Sequence, residues 1–329
     1  MIRRGDRAAA RAARRQREIG DLRERTQEDR GAGHTRLVPG GAPAHKRAMP
    51  QNGPSDSAEI FDRALRRKRR DRAARRYEGF IREHMLEGIS ERLTAVTREF
   101  HDVLDMGSFA GGFELPGANI TRIDAGAAFA AQAGGVQADE DRTPFPENSF
   151  DLVVSIGVLD QINDVPGALS IARRALRPDG LFLGAFLGAG TLATLRSVFL
   201  HAEGERPVAR FHPQIDVRAA GDLLTRAGFA LPVADVETLT VRYSSIFSLL
   251  GDLRAMAATN LLPGTPPLTR GVLTRAAATF AERADPDGKT PERFEIVYLT
   301  GWAPDESQPK PARRGSAVAS LAEALKGAN

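Results

Sequence analysis

Residues 103–113 read VLDMGSFAGGF: an apolar run ends in an acid, Asp105, and passes directly into a glycine-rich turn. Glycine lets a backbone turn tightly and approach a ligand without a Cβ in the way, which is the use expected of Gly107 and Gly111. Working outward, HDVLDM (101–106) reads as a short buried strand and ITRID (120–124) as a second one that ends in Asp124. FDLVVSIG (150–157) is continuously apolar, VPGALSIARRAL (165–176) follows as a helix, RPDG (177–180) as a turn, and LFLGAFLG (181–188) as another strand. Short apolar strands separated by helices mark a parallel sheet covered on both faces, so residues 101–190 are expected to form the centre of a doubly wound α/β domain.

The pattern continues to residue 303. Helices are expected over 191–205, 216–229, 247–260 and 272–284, an edge strand over DVETLTVRY (235–243) and a terminal strand over FEIVYLTGW (294–302). Upstream, PQNGPSDS (50–57) is a turn-rich linker, and Ser57 is placed to cap a helix starting near Ala58. That helix carries a short apolar face, Ile60, Phe61, Ala64 and Leu65, then a nearly unbroken run of arginines. Such a run reads first as a solvated helix face, with a basic lip over an acidic or phosphorylated ligand as the alternative. A second helix over about 78–98 sets Phe80, Met85, Leu86, Ile89, Leu93 and Val96 at helical spacing. The division is a leader and linker (1–57), N-terminal helices (58–100), the α/β domain (101–303) and a tail (304–329).

The 329-residue chain is 42% hydrophobic and 27% charged, a globular composition. No run of about 18 uncharged apolar residues appears, so no transmembrane segment is expected, although a peripheral place at a membrane stays open. The absence of cysteine removes disulfides, thiolate metal sites and a cysteine nucleophile together, and suits a cytoplasmic setting. Residues 1–48 hold 13 Lys and Arg against 6 Asp and Glu, whereas the rest holds 33 against 36. The basic balance therefore belongs to a leader too poor in large apolar residues to fold alone, and Met49 is a candidate start. No aromatic residues interleave its bases, so no nucleic-acid partner is expected.

In an open parallel sheet, ligands sit beyond the carboxyl ends of the strands. Asp105, Gly107 and Gly111 lie there, as does Ser155 near the end of the strand 150–157. Asp124 ends the next strand, where a carboxylate accepts hydrogen bonds from the two hydroxyls of a ribose. Asp139 and Glu140, in ADEDRTPF, are placed to meet an adenine. A phosphate loop is absent, and a strand-terminal acid suits the cationic S-adenosyl-L-methionine better.

With DMGSFAG as the glycine turn and TPFPENSFDLVVS as the downstream signature, the chain resembles the class I S-adenosylmethionine methyltransferase superfamily. The resemblance implies a mostly parallel Rossmann-like sheet with an N-terminal helical extension, and S-adenosyl-L-methionine as cofactor. IFDRALRRKRRDRAA, NDVPGALSIARRALRPDGLFLGAFLGAGTL, DLRAMAATN and YLTGWAPDESQPKPARRGSA narrow it to the complex I assembly factor family of mitochondria and its alphaproteobacterial relatives. That family implies a protein substrate, a respiratory complex I subunit modified at an arginine. Similarity to the malonyl-acyl-carrier methyltransferase of biotin synthesis is more distant.

The sequence departs from the family twice. The middle glycine of the turn is Phe109, which costs of order 1 to 3 kcal/mol if that position needs a positive φ. A His-Trp pair is replaced by Asp160 and Gln161, so no catalytic residue is transferred and Asp160 becomes a substrate-side carboxylate. Arg254 and Asn260 in DLRAMAATN are further substrate-side candidates, His212 reads as a surface or packing residue, Trp302 as core, and no metal cluster is visible. Methyl transfer, hydroxylation and a noncatalytic assembly chaperone all remain open.

Overall fold

The computed structural model describes residues 59–143 and 145–308. The leader, Ser57 and most of the tail lie outside these residues. Two N-terminal helices, α1 (Arg63–Ala73) and α2 (Phe80–Thr94), precede a seven-stranded sheet. Its strands are β1 (Asp102–Met106), β2 (Asn119–Asp124), β3 (Val136–Gln137), β4 (Phe150–Ile156), β5 (Leu176–Leu187), β6 (Ala230–Tyr243) and β7 (Thr290–Trp302). The helices between them are α3 (Ala127–Gln132), α4 (Val165–Ala175), α5 (Ala193–Glu203), α6 (Val217–Arg226), α7 (Ile246–Ala255) and α8 (Arg270–Ala281).

The sheet order is β3-β2-β1-β4-β5-β7-β6. Strands β1 to β5 pair in parallel, and β7 runs antiparallel between β5 and β6. The expected doubly wound, mostly parallel sheet is therefore present. β4 shows why its sequence is mostly apolar: Leu152, Val154 and Ile156 enter one hydrophobic core, Phe150 and Val153 the other. A strand buried on both faces favours apolar side chains on each, and its one buried polar residue, Ser155, stands near its carboxyl end. β6, the outer strand, alternates over its second half, where Leu239, Val241 and Tyr243 turn inward and Thr240 and Arg242 are exposed, whereas Val233 and Val236 in its first half are exposed.

Three details differ from expectation. RPDG does not separate a helix from a strand but forms an excursion inside β5. Pairing to β4 jumps from Phe150↔Leu176 to Leu152↔Leu181, with Asp179 at φ 60. The first helix starts five residues later than Ala58, where Asp62 accepts a hydrogen bond from the Leu65 amide at 2.9 Å. β3 is two residues long, too short for any periodic signal. No helix among the described residues is long and apolar enough to cross a membrane.

Candidate functional site

The chain runs outward from β1 to β2 and β3 and then crosses to β4 on the other side of β1, so the switch point lies between β1 and β4, the expected ligand position in such a fold. Asp105 and Ser155 stand there on adjacent strands, both buried. Neither carboxylate oxygen of Asp105 has a hydrogen-bond partner in the protein, and the Ser155 hydroxyl has none either. Arg122 Nε is 3.9 Å from Asp105, and Arg82, reaching in from α2, donates to the Gly111 carbonyl at 2.6 Å. Burial raises the Asp105 carboxyl to about 6, against the pull of Arg82 and Arg122. Gly107 has φ +82, and an added Cβ would lie 2.4 Å from Val158, so this position requires glycine on both counts.

Phe109 has φ 52, so the bulky residue in the turn does occupy the left-handed region. Two contacts hold it there. Its amide donates to Asp124 at 2.9 Å, and its ring packs 5.3 Å from the rings of both Tyr77 and Phe129. The guanidinium of Arg70 lies over the same ring, 3.9 Å from its centre.

Arg70 comes from α1, and with it comes the main correction to the sequence reading. The arginine run is not a solvated face. Arg63, Arg66, Arg67 and Arg70 are spaced i, i+3, i+4, i+7 and form one stripe of the helix. Each meets an acid that borders the cleft. Arg63 pairs in a bidentate fashion with Asp141 at 2.7 Å, and Arg66 with Glu140 at 2.7 and 2.8 Å. Arg67 pairs with Asp139, and Arg70 with Asp124. Arg66, Arg70, Asp124 and Glu140 are all nearly inaccessible to solvent. Burial works against ionisation of Asp141, but the Arg63 guanidinium holds its carboxyl below the usual range.

Asp124 is saturated. Its Oδ1 accepts from Arg70 Nε at 2.8 Å and from the Gly126 amide at 2.7 Å, and its Oδ2 accepts from Arg70 Nη2 and the Phe109 amide. A carboxylate offers about four lone-pair sites, and all four are taken by protein donors. Gly126 is what lets α1 lie so close: an added Cβ would stand 2.8 Å from the Arg70 Cβ. Gly126→Ala should therefore overpack this contact and cost about 1 to 3 kcal/mol, read as a lower urea midpoint.

The acids and glycines expected beyond the strand ends lie at one edge of the sheet and divide into two groups by their partners. Asp105, Gly107, Gly111 and Ser155 form the open-chemistry group, whereas Asp124, Asp139 and Glu140 are engaged by α1. Arg82 and the α1 stripe were not anticipated as site residues. With arginine at six of the eleven α1 positions, Lys68 set among them and two more arginines in the turn that follows, no periodic signal distinguished the inward face.

The three substrate-side candidates share a second hollow. Asp160 and Gln161, in a single helical turn after β4, line a cavity of about 210 Å³ together with Arg254 of α7 and Asn260 of the following loop. His212 also borders it, with Nε2 accepting from the Leu261 amide at 2.9 Å and its ring 4.7 Å from Phe61. That is a packing role, as expected, and burial lowers its pKa to about 4. Arg210 at the rim is neutralised by Glu203, and Asn260 is occupied by Thr265 and the Leu262 amide. Burial raises the Asp160 carboxyl to about 7, with its own amide, then Arg66 and Arg70, pulling the other way. Trp302 is half-buried rather than core. No group of three or more His, Cys, Asp or Glu suited to a metal occurs among the described residues.

A family model described as "Methyltransferase domain" matches residues 104–184. The human protein "Arginine-hydroxylase NDUFAF5, mitochondrial" is 36% identical over 289 residues, covering 80% of this chain and 83% of its own. "Malonyl-[acyl-carrier protein] O-methyltransferase" of Halorhodospira halophila is 31% identical, covering 76% of this chain and 90% of its own. Among solved structures, phosphoethanolamine N-methyltransferase 2 of Haemonchus contortus in complex with S-adenosyl-L-methionine is similar at 17% identity and a TM-score of 0.42. It covers 68% of this chain and 53% of that one.

Proposed function

Because the chain belongs to the family of the arginine hydroxylase NDUFAF5, within the S-adenosylmethionine methyltransferase superfamily, we propose that it modifies an arginine side chain of a protein during assembly of respiratory complex I. S-adenosyl-L-methionine is the cofactor of this superfamily and supplies an activated methyl group when bound. Asp105, Gly107 and Ser155 suit its cationic methionine end, since a buried carboxylate without a partner is stabilised by a cation. The adenosyl half does not fit the docked arrangement, because Asp124 has no acceptor site left for a ribose.

The observation that carries the arginine reading is the cavity beside Asp160. It is smaller than the roughly 300 to 1,000 Å³ of a site for a drug-sized ligand, and is of a size for one side chain. Its wall holds a carboxyl group without a salt-bridge partner, which is the complement of a guanidinium. A guanidinium stabilises the ionised form of Asp160. Below about pH 7 the carboxyl must first lose its proton, so affinity falls by up to about tenfold per pH unit, while above that pH it levels off. Calorimetric titration with Nα-acetylarginine amide tests this. Asp160→Asn should weaken binding by about 10- to 100-fold and abolish the pH dependence. Binding that ignores both the substitution and the pH would defeat the assignment.

The reaction itself is read in the cell. Intact masses of complex I subunits from strains with and without the gene should differ by one oxygen per site if the chain hydroxylates, or by one methylene if it methylates. A complex I that fails to assemble with no mass difference supports the second reading, a chaperone without turnover, which the engaged Asp124 favours. A cytoplasmic setting, with any membrane contact peripheral, belongs to the same proposal.

A further inference from the structure

Four arginines of α1 meet Asp141, Glu140, Asp139 and Asp124 in reverse chain order, and this match goes beyond what folding a helix onto a sheet needs. α1 is already held by apolar and neutral contacts. Phe61 and Asn163 exchange two hydrogen bonds at 2.7 and 3.0 Å, Asp62 donates its amide to the Leu261 carbonyl, and Gln132 of α3 donates to the Ala74 carbonyl at 3.0 Å. Buried ion pairs add little net stability, because desolvation offsets their attraction. Four pairs along one stripe, two of them with both partners buried, call for another explanation.

We propose that α1 is an internal competitor of the cofactor: its arginine stripe takes the carboxylates that would receive the nucleoside, so that S-adenosyl-L-methionine and docked α1 exclude one another. This rests on reading the cleft as the cofactor site. Three observations carry it. Asp124 has all four acceptor positions filled, two of them by Arg70. The Arg70 guanidinium covers the Phe109 ring, 3.9 Å from its centre, and so occupies the face of the aromatic side chain in the glycine turn. Asp105, the one cleft acid that no α1 arginine pairs with, is left buried without a hydrogen bond. The stripe therefore covers the adenosyl half and stops short of the methionine half.

The strap also joins the two hollows. Its N-terminal lead, through Phe61 against His212 and Asp62 against Leu261, forms part of the packing behind the Asp160 cavity, and Asp160 feels the charges of Arg66 and Arg70. Release of α1 removes those two cations from Asp160 and loosens one wall of the cavity. Loading the cofactor and reshaping the arginine pocket thereby become one conformational step. The apparent affinity for the cofactor is its intrinsic affinity reduced by the fraction of molecules with α1 released.

The test uses the full chain, with S-adenosyl-L-methionine and S-adenosylhomocysteine as probes, calorimetry for affinity and hydrogen exchange for α1. In the unaltered protein, saturating cofactor should speed amide exchange across residues 63–73. Arg70→Ala should bind at least tenfold more tightly, and Arg67→Ala, whose side chain is 46% exposed, severalfold more tightly with the fold intact. Should Arg70→Ala fail to fold, Arg67→Ala and the exchange measurement decide. Tight binding by the unaltered protein with exchange of 63–73 unchanged or slowed overturns the proposal. So does a variant whose α1 exchanges freely yet binds no better, or not at all. Guanidinium binding at Asp160 is scored separately, so failure of the arginine reading leaves this result interpretable, and the reverse.

Discussion

Glu140→Ala should lower the free energy of unfolding by about 3 to 5 kcal/mol, the range for breaking a buried pair by removing one partner. Glu140 is 0% exposed and holds Arg66, itself 3% exposed, through two hydrogen bonds. The truncation strands a guanidinium that cannot lose its proton and has no water to turn to. The expected consequence is a fall in melting temperature of roughly 6 to 20 °C, at the ~2–4 °C per kcal/mol of a domain this size. The double variant Arg66→Met, Glu140→Leu should recover most of it, because a buried ion pair is readily replaced by apolar side chains of like volume. Urea denaturation of the three proteins gives the comparison. A single variant as stable as the parent would mean that Arg66 is not held where it lies.

Asp105→Asn should do the opposite. The buried carboxyl has its pKa raised to about 6 from an ordinary 3.8. Burial is the chief cause, with Arg82 and Arg122 too weakly engaged to compensate and Asp124 and Glu114 adding repulsion. As pH rises above about 4 the unfolded chain ionises first while the folded one still holds its proton, so the folded state loses stability up to about pH 6. At about 1.4 kcal/mol per unit this penalty approaches ~3 kcal/mol at neutral pH. Replacement by a neutral amide should therefore raise the unfolding free energy by about 2 to 3 kcal/mol at pH 7.5, with the gain shrinking below pH 6 and gone below about pH 4. Denaturation curves across that range measure it. A carboxylate retained at such a cost is expected to serve a ligand, so the same substitution should weaken S-adenosyl-L-methionine binding.

Much of the sheet was legible because its signal is local. β1, β4 and β5 are largely apolar on both faces, and glycines follow the strand ends: Met106 before Gly107, Asp124 two residues before Gly126, Ile156 before Gly157. The edge strand β6 showed itself by alternation, which burial on one face imposes. Where the signal was weak, the reading slipped. RPDG carries turn chemistry, and the conformation at Asp179 is indeed that of a turn, but the Asp179 amide donates to the Ala303 carbonyl and the Ala303 amide to the Gly180 carbonyl, which holds the excursion in line with the sheet. Phe109 could be marked as strained from its place in a glycine motif, since a positive φ is a property of the turn and not of its neighbours.

The sequence by itself determined the order of the longer strands and helices, the position of Asp105 and Asp124 near strand ends and the presence of an unusual residue in the turn, because these follow from hydrophobic periodicity and backbone sterics over a few residues. Only the tertiary structure decided where the arginines go. A charge is solvated or buried according to the countercharge it meets, and the partners of Arg63, Arg66, Arg67 and Arg70 lie 54 to 78 residues away in sequence. Asp124 at the end of β2 and three consecutive acids, Asp139, Glu140 and Asp141, in the connection after β3 turned a run that reads as a wet helix face into a paired one.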